Sequence, residues 1–201
     1  MQILELTLQT NNIIETEKFY CQTIGLEKAY QTEESISFFL GTSKLIFESI
    51  ESETSPKYHF AFNIPINKME EAINWTSRRI GLIPLADNSF VTHFENWKAE
   101  AIYFFDNNQN ILEFICRSDL NNFVYSMFSN DTILNINEIG IVTDKPLEIA
   151  KEIIEKTNTT FFSKGPTRED FVAVGTDNGL FAISSQKEIG IQHKKKQKNK
   201  P

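Results

Sequence analysis

The sequence predicts an α+β fold assembled from repeated βαβββ modules. Three observations carry this prediction. Period-two alternation of apolar and polar residues marks many short strands. A single helix-spaced apolar stripe follows the first strand of each group. The order strand, helix, three strands then recurs three times along the 201 residues.

Module one spans residues 1–52. Residues 2–10 alternate with Leu4, Leu6 and Leu8 on one face and Ile3, Glu5 and Thr7 on the other. Residues 13–24 follow with helical spacing, ended by Gly25. Strands are expected at 26–31, 36–40 and 44–50. Module two spans 56–118 and opens with a strand at 58–64, with Tyr58, Phe60 and Phe62 on one face and His59, Ala61 and Asn63 on the other. A helix follows at 67–80, with Asn67 as N-cap, Glu70 in the reciprocal position and Gly81 as the stop. Strands at 82–85 and 90–95 lead to a hairpin, 101–105 and 111–116, around the turn formers DNNQN. Residues 119–133 read as a linker with a short amphipathic turn (Phe123, Val124, Met127, Phe128). Module three, 134–190, repeats the order with a strand at 135–143, a helix at 147–157 and strands at 159–163, 171–175 and 180–184. Residues 191–201 are expected to form a basic, disordered tail.

Glu113 stands between Leu112 and Phe114, so it shares a face with Ile111 and Ile115 and points into apolar surroundings. A buried carboxylate needs a charge partner, hydrogen bonds or a metal. Glu48 sits similarly in the last strand of module one, while Glu5 and His59 lie on the first strands of modules one and two. If modules one and two pack as quasi-symmetric halves, these four side chains converge. One imidazole with two or three carboxylates suits Fe, Mn, Ni, Zn or Mg as a divalent ion. Glu138 is the one charged group at a matching position in module three, and it has no partner in the pattern. Tyr103 and Trp97 read as packing, and His93 and Glu100 as surface groups.

The bulk numbers narrow the function classes. The net charge is −7, and the tail alone carries five of the 20 basic residues, leaving 15 against 27 acidic ones. Such an acidic body argues against nucleic acid as a partner. Two cysteines, Cys21 and Cys116, make no disulfide framework and no zinc motif. The N-terminal residues carry no signal-peptide pattern and no stretch long enough to span a membrane, so a reduced, cytoplasmic setting is expected.

The segments ILELTLQTNNIIETEKFYCQTIGL, YHFAFNI and YFFDNNQNILEF resemble the vicinal oxygen chelate superfamily, which includes glyoxalase I, fosfomycin-resistance thiol transferases, bleomycin-binding proteins and extradiol dioxygenases. The third segment is similar to that family's aromatic–Asp-Pro-x-Gly-Asn–aliphatic–Glu motif. The resemblance implies a curved-sheet cup made by modules one and two as a glyoxalase-like domain, plus a third similar module. It also implies His59 and Glu113 as metal ligands. Glu5 stands where many members have histidine, and Glu48 near the first-half glutamate of glyoxalases. The implied activity is a divalent-metal-dependent lyase or isomerase. It would act on a small oxygenated substrate through a stabilised enolate or alkoxide, with Glu113 or Glu48 moving the proton. Two alternatives stand beside it. One is a metal-free drug- or aromatic-binding protein, in which Phe38, Phe39, Phe104 and Phe105 would matter most. The other is a ring-cleaving extradiol dioxygenase, which ranks lower because Glu5 is not histidine and three modules are present rather than four. Asn107 and Gln109 also replace the motif's proline and glycine, which asks Gln109 for a positive φ. A homodimer is the expected assembly, with module three covering a sheet edge.

Overall fold

The computed structural model describes residues 1–185; the expected basic tail and the last residues assigned to module three lie outside the described residues. In module one, β1 (Glu5–Thr10) buries Leu6, Leu8 and Thr10 and exposes the residues between them. Asn12 caps α1 (Ile13–Glu17) through Oδ1, which accepts Glu15 N–H at 3.0 Å. The helix then widens into a π-helical turn, Lys18–Ile24, closed by Gly25 at φ 88°. Three antiparallel strands finish the module: β2 (Lys28–Gln31), β3 (Ser35–Leu40) and β4 (Ser43–Ser49).

Module two contains β5 (His59–Asn63), α2 (Met69–Ser77), β6 (Thr92–Phe94), β7 (Ala99–Phe105) and β8 (Ile111–Arg117). Helix α2 starts later than the sequence suggests and Lys68 is its cap residue, with no side-chain cap bond. Asn67 instead clamps the linker: its amide donates to Val124 O at 2.8 Å and accepts Val124 N–H at 3.2 Å. The linker is irregular and ends in a 3₁₀ turn, Asn130–Thr132, with Phe128 buried and Phe123 and Met127 exposed. Residues 82–85 make single backbone bonds to Tyr103 and Ser89 but no strand. Module three contains β9 (Asn135–Val142), α3 (Pro146–Thr157), β10 (Phe171–Thr176) and β11 (Gly179–Ser184). Of the strand expected at 159–163, one bridge remains, Phe161 to Val174.

Two sheets result. Module one forms a four-stranded sheet in the order β1-β4-β3-β2. Modules two and three share a curled seven-stranded sheet, β10-β11-β9-β5-β8-β7-β6. The cup is therefore shared by modules two and three, not by modules one and two. The reason lies in the edge of β5, which is taken by β9 in antiparallel pairing (Phe60↔Ile139, Ala61↔Glu138), leaving no room for β1. Module one packs behind this sheet instead. Its buried face (Leu6, Leu8, Phe38, Phe47) joins Phe60, Phe62, Leu112 and Phe114 in one core, each such side chain contributing about 1.5–3 kcal/mol.

The turn between β7 and β8 pins the two sheets together. Asp106 Oδ1 accepts the N–H groups of Asn108 and Asn110, both at 2.8 Å. Its Oδ2 accepts the Tyr20 hydroxyl and the Asn110 amide, both at 2.8 Å. Tyr20 lies in the π-helical turn. Gln109 takes φ 63°, as the motif's glycine position requires. We expect Asp106→Ala to cost about 3 kcal/mol, because it orphans several buried donors at once. Urea denaturation checks this, and Asp106→Asn retains part of the loss.

Candidate functional site

One row of side chains crosses the cup in register: Tyr103 on β7, Glu113 on β8, Ala61 on β5, Glu138 on β9 and Leu180 on β11. His59 stands in the neighbouring row, two residues nearer the β7–β8 turn, opposite Ile111. Strand alternation puts all of these on the face turned away from the shared core.

His59 Nε2 lies 3.2 Å from Glu113 Oε2, and His59 Nδ1 lies 3.1 Å from the carbonyl of Ile111. A carbonyl only accepts, so Nδ1 carries a proton, and a second proton on Nε2 makes the imidazolium that pairs with Glu113. Burial disfavours that cation, but the Glu113 hydrogen bond and the charges of Glu113 and Glu138 outweigh burial and raise the His59 pKa above its usual 6.5. The Glu113 side chain is 3% exposed against 30% for His59, so the histidine is the side of the pair that solvent reaches. The second carboxylate oxygen of Glu113, Oε1, is buried with no hydrogen-bond partner. Tyr103 lies beside it; burial, and then the charges of Glu113 and Glu138, push its phenol well above the usual range.

Glu138 faces a different cation. Its Oε1 accepts from Arg117 Nη2 at 2.6 Å, and the same nitrogen donates to Asn137 Oδ1 at 3.0 Å. Arg117 is fully buried, its guanidinium 5.4 Å from the Trp97 ring and 5.7 Å from the Phe162 ring. Beyond it, Asp177 lies 3.7 Å from Arg117 Nη1, and Lys164 joins Asp177 at 2.8 Å to Asp119 at 2.7 Å. Burial, and then the charge of Glu113, raise the Glu138 pKa to about 7, against the opposing pull of Arg117 and His59. Two carboxylates, one guanidinium and one imidazolium thus leave the cluster near neutrality.

The sequence-derived set divides cleanly. His59 and Glu113 meet. Glu5 does not join them: it lies on the other sheet, its side chain 61% exposed and 3.6 Å from Lys44. Glu48 is likewise exposed on that sheet. The ladders explain the mismatch. Glu48 is opposite Gln9 and Glu113 is opposite Ala61, so the residue of module one that corresponds to His59 is Thr7, not Glu5. Glu138, expected to be without partners, has both Arg117 and Glu113. It and Arg117 were missed because their meeting depends on the β5–β9 joint. The alternation of β8 does put Arg117 on the Glu113 face, and that was the available signal.

These donors fit a divalent ion poorly. His59 Nε2 and Glu113 Oε2 are close enough for one ion to span. The third carboxylate, however, is committed to a guanidinium, and the place opposite His59 belongs to Gly140, which has no side chain. Among the described residues no three His, Cys, Asp or Glu side chains form a group able to hold a metal, whereas protein-bound catalytic zinc takes three such ligands. The rest of the cup is filled: Trp97 and Phe162 pack over Ala61, Ala99, Ala101 and Ala173. Two surface concavities, of about 390 and 340 Å³, lie elsewhere, and neither borders His59 or Glu113.

No family model and no curated protein matches the chain. Solved structures do. A protein assigned as a dioxygenase from Bacillus subtilis superimposes with a TM-score of 0.65 at 14% identity, over 92% of this chain and 63% of its own. This chain therefore spans less than two thirds of that protein. A lactoylglutathione lyase from Agrobacterium tumefaciens gives 0.47 at 19% identity, over 60% of this chain and 96% of its own. A glyoxalase family protein from Enterococcus faecalis gives 0.47 at 20%, over 57% and 96%. No helix among the described residues is long and apolar enough to cross a membrane.

Glu138 and His59 both hold their protons more tightly folded than unfolded. The stability they contribute is complete below their unfolded values, near pH 4.5 and 6.5, and is lost as pH rises through the folded ones, about 7 for Glu138. Wild type should therefore lose on the order of 2 kcal/mol relative to Glu138→Gln between pH 5 and pH 8, measured by urea denaturation at each pH. Arg117→Met should cost about 3–5 kcal/mol at pH 8, where it leaves a buried carboxylate unpaired, and less at pH 5.5, where Glu138 is protonated.

Proposed function

We infer that this chain, which has the fold of the vicinal oxygen chelate superfamily, binds a small hydroxylated aromatic molecule without the help of a metal ion. One observation carries the reading: Glu113 Oε1 is a buried carboxylate oxygen without a hydrogen-bond partner of its own, although the Tyr103 phenol also addresses this carboxylate. An unsatisfied acceptor of this kind costs about 1–3 kcal/mol, more when charged, and a ligand hydroxyl supplies the missing donor. His59 reinforces the site from the solvent side, its Nε2 3.2 Å from the other oxygen of the carboxylate. Phe105, 41% exposed, stands in the His59 row on the far side of Ile111 and offers an aromatic face for the ligand ring. Trp97 and Phe162 fill the deep end of the cup.

The lyase or isomerase chemistry, and ring cleavage, would need a donor set around one ion that His59 and Glu113 alone do not supply. Glu48 is exposed on the other sheet and has no route to a ligand held at Glu113. We therefore place proton transfer by Glu113 or Glu48 below simple binding. His59 and Glu113 hold a proton between them and fix the hydroxyl; nothing further is asked of them.

Catechol serves as the probe, with the melting temperature read in the presence of EDTA. Catechol should raise it, and Glu113→Gln should abolish the rise while leaving the fold intact by circular dichroism. Stabilisation that requires added Mn(II), Ni(II) or Zn(II) and vanishes with EDTA would sink the metal-free reading. A flat response to phenol, catechol and resorcinol alike would sink the ligand class.

A further inference from the structure

We propose that the deep end of the cup is a carboxylate subsite built on Arg117 and closed by a movable plug, the rings of Trp97 and Phe162. The guest is then a hydroxylated aromatic carboxylate, its hydroxyl end resting on the function proposed above and its carboxylate end on Arg117. Strand alternation puts Glu113, Ile115 and Arg117 on the cup face of β8, with Ala61 and Asn63 beside them on β5. The floor therefore runs from the His59 side, through Glu113, to Arg117 at the far end.

Buried polar atoms without hydrogen-bond partners lie along this floor. Besides Glu113 Oε1 they are Asn63 Oδ1 and the Nε and Nη1 atoms of Arg117. Asn63 is 2% exposed and Arg117 0%. Asp177 Oδ1 stands 3.7 Å from Nη1, beyond hydrogen-bond length. Nη2 is committed to Glu138 and Asn137, which leaves the other two nitrogens with N–H groups to offer. Buried polar groups are as a rule satisfied, and guanidinium donors favour a planar anion over a neutral acceptor. Asn63 Oδ1, in the row between Glu113 and Arg117, adds an acceptor for a further hydroxyl.

The cover over these atoms is apolar and lightly fastened. Trp97 lies in the β6–β7 turn, where Lys98 takes φ 49°. Phe162 lies in the irregular segment 158–170, joined to β10 by two bridges, Phe161 to Val174 and Thr167 to Val172. The two rings meet edge-on at 5.4 Å, and small side chains at Ala61, Ala99, Ala101 and Ala173 leave them the space above the floor. Polar latches at the rim hold the segment down: Trp97 Nε1 donates to Gly165 O at 2.8 Å, and Lys164 bridges Asp119 and Asp177. The three side chains of that bridge are partly exposed, so water and salt compete with it.

An aromatic acid replaces what the plug supplies. Arg117 has ring faces at 5.4 and 5.7 Å from Trp97 and Phe162, and the guest's own ring takes over that contact when they withdraw. Glu138 keeps Nη2, so the incoming charge meets Nε and Nη1 and leaves the existing pair in place. Lys164, its ammonium 5.9 Å from the Phe162 ring, is a second cation at this end, with Asp119 and Asp177 as the competing anions.

Calorimetric titration of the full chain with 4-hydroxybenzoate, 4-hydroxybenzamide and benzoate, in the presence of EDTA, tests the proposal. The acid should bind about tenfold tighter than the amide, which has the same shape and no charge. Phe162→Ala, which unblocks the deep end, should tighten the acid by about a further tenfold. Lys164→Met, which cuts the latch without opening a cavity, should act in the same direction. At saturation the indole N–H signal of Trp97 should move while that of Trp75 stays. Arg117→Met combined with Glu138→Leu removes both buried charges together, so the fold survives, and it should erase the preference for the acid. Equal affinity for acid and amide in wild type and Phe162→Ala alike, or a preference that survives the double variant, would overturn the carboxylate subsite and leave the hydroxyl site standing. Benzoate binding that needs Arg117 and is indifferent to Glu113→Gln would keep the subsite and sink the hydroxyl reading instead. An acid that binds without moving the Trp97 signal would overturn the plug, and no binding of any of the three compounds would overturn both ends of the site.

Discussion

The antiparallel joint between β5 and β9 is the constraint on which the rest depends. It turns module two from a half-cup into a cup, and it brings Glu138 across to Glu113 through the shared register with Ala61. It also sets Gly140 under His59: a Cβ there would come within 3.0 Å of the His59 Cβ, so the two first strands approach each other closely only because that position is bare. By occupying the edge of β5, β9 sends module one to the back of the sheet, where Tyr20 and Asp106 fasten it.

Once the joint has formed, the cup contains three charged groups that water cannot compensate, Glu113, Glu138 and Arg117, with His59 on their solvent side. Burial, and then the nearby charge of Glu113, raise the pKa of Glu138, and Arg117 and the His59 proton answer both charges. Arg117 gains further from two aromatic faces and from Asn137, the conditions under which a fully buried guanidinium is tolerable. Within the cluster Glu113 Oε1 and the Nε and Nη1 atoms of Arg117 are left without hydrogen-bond partners, and the proposed function rests on the first of these.

Period-two patterning made most of the fold legible. The faces of β4, β5 and β8 follow from alternation alone, and the DNNQN turn with a left-handed Gln109 was readable from its residues. Misplaced features all depended on partners that are distant in sequence. Asn67 looks like a helix cap until the linker comes within reach of its amide. Glu5 looks equivalent to His59 until the β1–β4 register shows that Thr7 is. Glu138 looks solitary because nothing near it in sequence reveals Arg117, 21 positions earlier. Edge choice has no local signature: β1 and β9 are similar strands, and which of them takes β5 is decided by the whole assembly.

The protonation state of His59 distinguishes this account most directly from a metal-centred one. Imidazole ¹⁵N shifts, recorded at pH 6.5 on uniformly labelled protein before and after one equivalent of Zn(II), report both ring nitrogens separately. A charge-compensated cup predicts both nitrogens protonated and unmoved by zinc. A deprotonated Nε2 that shifts on zinc addition would contradict it.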